Sequence, residues 1–120
     1  MTKKRPAEQC FCPAFHHAVE LIGRKWTGAI IRAMLYGRTR YSELLAAVPG
    51  LSDRMLSERL RELEQEGVVV RTVVPETPVR IDYSLSAKGR ALADVMRTIA
   101  HWAVEWEPER AAPDALRKRA

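Results

Sequence analysis

The chain is short of almost everything that an enzyme or a secreted scaffold displays. It has two cysteines in 120 residues, Cys10 and Cys12. They are too few for a disulfide framework and too close for an easy bridge, which fits a reducing compartment. No apolar run approaches the roughly 20 residues of a membrane span, and the N-terminus lacks the apolar segment of a signal peptide. No membrane partner is expected, and a cytoplasmic location is the default. There is no glycine-rich phosphate loop, no close acid pair with an evident role, no internal repeat and no low-complexity segment. Ser42, Ser52, Ser57, Ser84 and Ser86 all have capping, polar-face or strand explanations, and His101 sits among apolar helix residues. No catalytic set emerges from them, so neither enzymatic activity nor a cofactor is expected.

What the sequence does have is positive charge and enough apolar residues for one core. Twenty Lys and Arg against fifteen Asp and Glu give a formal charge of +5, and 47% of the residues are hydrophobic. A basic balance of this size favours an anionic partner such as nucleic acid or an acidic membrane surface, although a soluble basic protein needs none. The length allows a single domain.

Residues 1–11 are polar and carry Lys3, Lys4 and Arg5, which predicts a flexible arm. Pro13 fits a first helical position, and Phe15, Val19 and Ile22 follow at helical spacing before Gly23. A second helix is expected in "KWTGAIIRAMLYG", with Trp26, Ile30, Ala33 and Met34 on its apolar face and Gly37 at its end. "RTRYSELLAAV" predicts a short third helix with Ser42 as cap or first-turn residue and Leu44, Leu45 and Val48 inward. Pro49 and Gly50 break it. A fourth helix then starts at Ser52, spaces Leu56, Leu60 and Leu63 along one face, and stops at Gly67.

Beyond Gly67 the pattern turns β-branched. "VVVRTVV" and "VRIDYSL" flank "PETP", which predicts a hairpin with a loop wider than a two-residue turn. Ser86 is placed to cap a last helix carrying Leu92, Val95, Met96, Ile99, Trp102 and Trp106 on one stripe until Pro108. That stripe is longer and more aromatic than a small helical core needs, so part of it is expected to meet another chain. The fold class is mainly α with a small β-hairpin wing (α+β). Residues 12–107 are expected to form the domain, and 108–120 a flexible tail.

Helix, Pro-Gly-Leu break, helix and hairpin is the chain order of a winged helix-turn-helix, whose second helix enters the DNA major groove. With Leu56, Leu60 and Leu63 inward, Arg54, Ser57, Glu58 and Arg61 face outward. Arginine can grip guanine O6 and N7, a serine hydroxyl can reach base or phosphate, and Glu58 could accept from cytosine N4. The same residues would also serve as an ordinary solvated charge ladder. Ser52 and the helix start offer groups to a phosphate. Glu62, Glu64 and Glu66 make the back half acidic, confining contact to the front half. Arg38, Thr39, Arg40 and Ser42 suit backbone contacts, and Arg80 near the wing tip suits a minor groove or phosphate. Double-stranded DNA is therefore the expected partner. RNA is disfavoured because no aromatic residue lies on the exposed helix face for base stacking. A winged helix used only for protein contacts is the alternative, but it has no need of arginines at both helix start and wing.

Taken together, "CPAFHHAVELIGRKWTGAIIRAML", "RYSELLAAVPGLSDRMLSERLRELEQEGVVVR" and "YSLSAKGRAL" resemble the HxlR-type, MarR-like bacterial transcription regulators across about residues 12–107. Cys-Pro, Gly-x-Lys-Trp, Arg-Tyr-x-Glu-Leu, Leu-x-x-Arg-Leu-x-x-Leu and Tyr-x-Leu-x-x-x-Gly are specific as an ordered set. The resemblance implies a homodimer built from the first and last helices, here through Phe15, Val19, Val95, Ile99, Trp102 and Trp106, on a two-fold related operator. In some relatives a cysteine just before the first helix senses oxidants or electrophiles, and Cys12, followed by Pro13, occupies that place. The amides of a helix start favour thiolate, the reactive form of cysteine. The chain departs from the pattern at His16 and His17. Neighbouring helical residues point about 100° apart, so the two cannot easily share one ion with a cysteine, and no metal is expected.

Overall fold

Proline at a first helical position loses no hydrogen bond, and Pro13 opens α1 (Pro13–Ile22) in this way in a computed structural model that describes residues 10–111. Most of the expected N-terminal arm and the end of the expected tail lie outside the described residues. Helix α2 (Thr27–Leu35) buries Thr27, Ile30, Ile31, Ala33 and Met34. Trp26, expected within the helical face, instead stands just before α2 in the left-handed region with φ 79°. Its half-buried indole packs against the core. Helix α3 (Tyr41–Ala47) has Ser42 in its first turn, but Glu43 supplies the N-terminal acceptor, taking the amides of Thr39 and Arg40 at 3.0 Å each.

Helix α4 (Asp53–Gln65) is capped by Ser52, whose Oγ accepts the Met55 amide at 3.1 Å. Leu56, Leu60 and Leu63 are at most 2% exposed. Burying three such side chains contributes about 1.5–3 kcal/mol each, enough to fix which face of α4 looks outward. The hairpin follows: β1 (Val69–Val74) pairs antiparallel with β2 (Arg80–Leu85), in register from Val69 opposite Leu85 to Val74 opposite Arg80. Its five-residue loop is wider than a two-residue turn, as "PETP" implies. An isolated bridge joins Arg40 to Asp82, and the Tyr83 amide donates to the Thr39 carbonyl at 2.7 Å, tying the start of α3 to the wing.

The last helix predicted from the sequence is two helices. Ser86 caps only α5 (Ala87–Arg90), accepting the Gly89 amide at 3.1 Å, and α6 (Ala93–Trp106) starts afresh after Leu92. Pro108 closes α6 as expected but then opens a short α7 (Pro108–Ala111). The core is shared by α2, α3, α4, the base of the hairpin and Met96 of α6. Helix α1 buries none of its residues within the chain. No helix among the described residues is long and apolar enough to cross a membrane.

Candidate nucleic-acid interface

The outward face of α4 is held rigidly from behind. Arg59 shares the inward face with Leu56 and Leu63, and it is 9% exposed. It donates to the Lys25 carbonyl at 2.9 Å and to Glu62 at 3.1 Å, pinning α4 to the segment before α2. At the front, Tyr41 Oη lies 2.8 Å from the Asp53 carbonyl oxygen and 3.0 Å from Ser57 Oγ. Arg59 and Tyr41 position the helix, and in the sequence they stand out only as members of the Leu-x-x-Arg-Leu-x-x-Leu and Arg-Tyr-x-Glu-Leu motifs. The spacing of Arg59 with the three leucines was the available signal.

Arg54 stands well out from α4, with its side chain 86% accessible and only a 3.4 Å pair to Glu58. An exposed pair of this kind is worth about 0–1 kcal/mol, so the guanidinium can leave it for a phosphate or a base at small cost. Glu58 itself is held between Arg54 and Arg59. Arg61 is exposed and carries no ion pair among the described residues. It lines a cleft of about 160 Å³ between α4 and the hairpin with Ser57, Leu60, Glu64, Arg71 and Tyr83. Arg71, opposite Tyr83 in the ladder, is a second cation without an ion pair among the described residues. The sequence pattern places it only on a strand.

Arg40, Ser42 and Arg80 border another depression beside Glu76 and Val79, bringing the start of α3 and the wing tip together. Arg80 is already matched there, 3.1 Å from both Glu76 and Asp82. Thr39 commits its amide to Glu43 and its carbonyl to Tyr83. Arg38 lines a different hollow with Arg32, Tyr36 and Val48, apart from the α4 cleft. Ser52 spends its side chain on capping. The Glu43 carboxyl is held below the usual carboxylate range, chiefly by the amides of Arg40 and Thr39. Of the acidic back half of α4, Glu62 and Glu66 turn toward α1 and the segment after it. Glu62 is paired with Arg59 and Arg24, and Glu66 lies 3.0 Å from His17, whose hydrogen bond lowers the Glu66 pKa.

Two further features lie away from α4. Phe15 and Val19 on α1, and Val95, Ile99, Trp102 and Trp106 on α6, are all exposed, with Phe15 69% and Trp106 66% accessible. Exposed apolar side chains of this size, grouped on two helices, are what an interaction surface would need. Cys10 and Cys12 are free and exposed, and Cys12 caps α1, its Sγ accepting the Phe15 amide at 3.4 Å. His16 lies beside Glu20 at 3.4 Å, so the two histidines have separate partners.

With this geometry in place, comparison with known proteins is informative. The family described as HxlR-like helix-turn-helix matches residues 21–111. An uncharacterised HTH-type transcriptional regulator of Bacillus subtilis, YvaP, is 55% identical over 95 residues, covering 79% of this chain and 88% of that protein. The regulator YodB of the same organism, solved in reduced form, superposes with a TM-score of 0.73 at 42% identity, covering 82% of this chain and 97% of that one. YodB has also been solved diamide-treated and quinone-bound. The redox regulator HypR in its oxidised form gives a TM-score of 0.72 at 34% identity, covering 78% and 96%.

Proposed function

The chain belongs to the HxlR-like helix-turn-helix family of transcriptional regulators, and from that premise we propose that it binds double-stranded DNA sequence-specifically, as a homodimer on a two-fold related operator, under the control of a thiol at Cys12. The observation that carries the reading is the outward face of α4. Arg54 and Arg61 stand free of strong pairs on a helix locked from behind by Leu56, Arg59, Leu60 and Leu63, with Arg71 of the hairpin beside them. A rigid helix with loosely held guanidiniums beside a wing suits base contacts from α4 and phosphate contacts from its flanks. The start of α3, with Arg40 and Ser42, supplies one flank and the wing the other.

The unburied faces of α1 and α6 support the dimer. Pairing them would remove Phe15, Val19, Val95, Ile99, Trp102 and Trp106 from water and set two α4 helices to read half-sites about 10 base pairs or a multiple apart. Cys12 lies at the start of α1 and is exposed, so its modification would act directly on that pairing surface. An electrophile such as a quinone would add to the thiolate sulfur. An oxidant such as diamide would take two electrons and two protons as two thiols join. YodB in quinone-bound and diamide-treated forms, and HypR oxidised, lend this reading its chemical precedent.

The experiment is a titration of the protein against DNA from upstream of its own gene, with scrambled DNA as control, first reduced and then after diamide. Specific binding in the reduced state is expected to collapse on oxidation and to survive it when Cys10 and Cys12 are both serine. Specific binding indifferent to diamide removes the switch and keeps the regulator. Arg54→Ala with Arg61→Ala is expected to abolish specific binding with the dimer intact, and unchanged binding would sink the role assigned to α4. Equal binding of scrambled DNA at moderate salt would leave only a basic surface.

A further inference from the structure

A serine hydroxyl facing DNA ordinarily tells little about which base it meets, because it donates or accepts as its partner requires. The bonds around Ser57 remove that freedom. Tyr41 Oη lies 2.8 Å from the Asp53 carbonyl oxygen, which has no proton to give, so the single phenolic proton is committed to that bond. The 3.0 Å contact between Tyr41 Oη and Ser57 Oγ must then be made with the serine's proton. Ser57 does not bond back to the carbonyl four residues earlier, as Thr98 does to Asp94 at 2.9 Å. Its proton therefore points inward to the phenol, and its exposed side carries only lone pairs. Glu58, the other acceptor on this face, carries a full charge and lies 3.4 Å from Arg54 and 4.0 Å from Arg59.

We infer that Ser57 is a one-way acceptor, oriented by Tyr41, that selects a base bearing an exocyclic amino group, cytosine or adenine, at one position of each half-site. Cytosine N4 and adenine N6 donate in the major groove, whereas guanine O6 and thymine O4 stand at the corresponding edge and only accept. A keto base would set lone pair against lone pair. Losing the bond and desolvating the oxygens without compensation corresponds to about tenfold in affinity. The same polarity makes Ser57 a poor phosphate ligand, since phosphate oxygens also only accept. Tyr41 is thus a positioning residue whose phenol sets the direction of a hydrogen bond it does not itself make to DNA. This inference rests on the DNA-binding reading of α4.

Affinity selection from a random duplex library, using the full chain and its variants, tests it. The wild type is expected to enrich an operator with one position per half-site restricted to cytosine or adenine. Ser57→Thr keeps that restriction and Ser57→Ala relaxes it at that position alone. Tyr41→Phe leaves the serine in place but frees its proton, so guanine and thymine enter at the same position. A thermal melt reports whether Tyr41→Phe folds, and the two Ser57 variants, which leave the phenol untouched, decide the matter if it does not. An operator in which Ser57→Ala relaxes no position, or in which a folded Tyr41→Phe keeps the restriction, overturns the inference while leaving the regulator intact. Failure of the wild type to enrich any sequence overturns both.

Discussion

Gly89 sits directly beneath the carbonyl of Val68. A β-carbon on it would come 2.9 Å from Leu85 Cδ2 and nearer still to the Val68 oxygen. That oxygen is held in place, because it already accepts the Ser86 amide at 3.0 Å. The Tyr-x-Leu-x-x-x-Gly motif is therefore a packing device in which α5 closes on the base of the hairpin. In a free helix Gly→Ala stabilises by about 1 kcal/mol. Here Gly89→Ala is expected to destabilise by about 3 kcal/mol, the upper range for inserting a methyl into a filled space. A lower urea midpoint with an unchanged slope would establish it, and a raised midpoint would refute the close contact.

Two carboxylates predict the acid limb of stability. Glu43, held low chiefly by the amides of Arg40 and Thr39, and Glu66, held low chiefly by the hydrogen bond from His17, both have folded pKa values below their unfolded ones. Each contribution is fully present above the ordinary carboxylate range and is lost as pH falls through the depressed folded value. Melting curves of Glu43→Ala and Glu66→Ala should lie below the wild type at neutral pH and converge with it as pH falls through the depressed folded values. A gap that persists in acid would assign the loss to packing instead.

Arg71 and Arg80 stand on the same hairpin with different prospects. Arg71 opens into the α4 cleft without an ion pair among the described residues, while Arg80 is matched by Glu76 and Asp82. Arg71→Ala should weaken binding to all DNA sequences alike and reduce the slope of log K against log salt by about 1. Arg80→Ala should do less, and Glu76→Gln, by removing one of the two carboxylates that match Arg80, should tighten binding slightly. Fluorescence anisotropy across a salt series distinguishes them. An Arg80→Ala loss larger than that of Arg71→Ala would reverse the assignment.

These two arginines also show where sequence reading stops. The helices before the hairpin and the hairpin itself were legible because each has local signals: Pro13, the Ser52 cap, the Leu56, Leu60 and Leu63 spacing, and the β-branched runs. The neutralisation of Arg80 by Asp82 follows from two-residue alternation on one strand, a signal present but unused. The meeting of Arg71 with Arg61 depends on how the hairpin leans on α4, which no local pattern encodes. The break after α5 was hidden for a related reason. The apolar stripe from Leu92 to Trp106 keeps its helical period, and the chain turns because Gly89 must dock on the hairpin. Trp26 at φ 79° runs against its own local preference, and tertiary packing of the indole decides its place.

The exposed stripe on α6 separates assembly from folding. Trp102 is 60% accessible and contributes little to the core of the single chain, whereas Met96, earlier on the same helix, is 8% accessible and belongs to it. Trp102→Ala should therefore leave the thermal unfolding of the monomer nearly intact and raise the dimer dissociation constant. A buried aromatic anchor at an interface is worth about 2 kcal/mol or more, or about thirtyfold. Met96→Ala should instead lower the stability of each chain by about 2–5 kcal/mol. Sedimentation over a concentration series reads the first effect and denaturation the second. DNA affinity of Trp102→Ala should fall in dilute solution and recover above the new dissociation constant, because in the proposed dimer two α4 helices must be held at a fixed spacing to engage both half-sites at once. Full DNA affinity from a Trp102→Ala monomer would show that the stripe serves some partner other than a second copy.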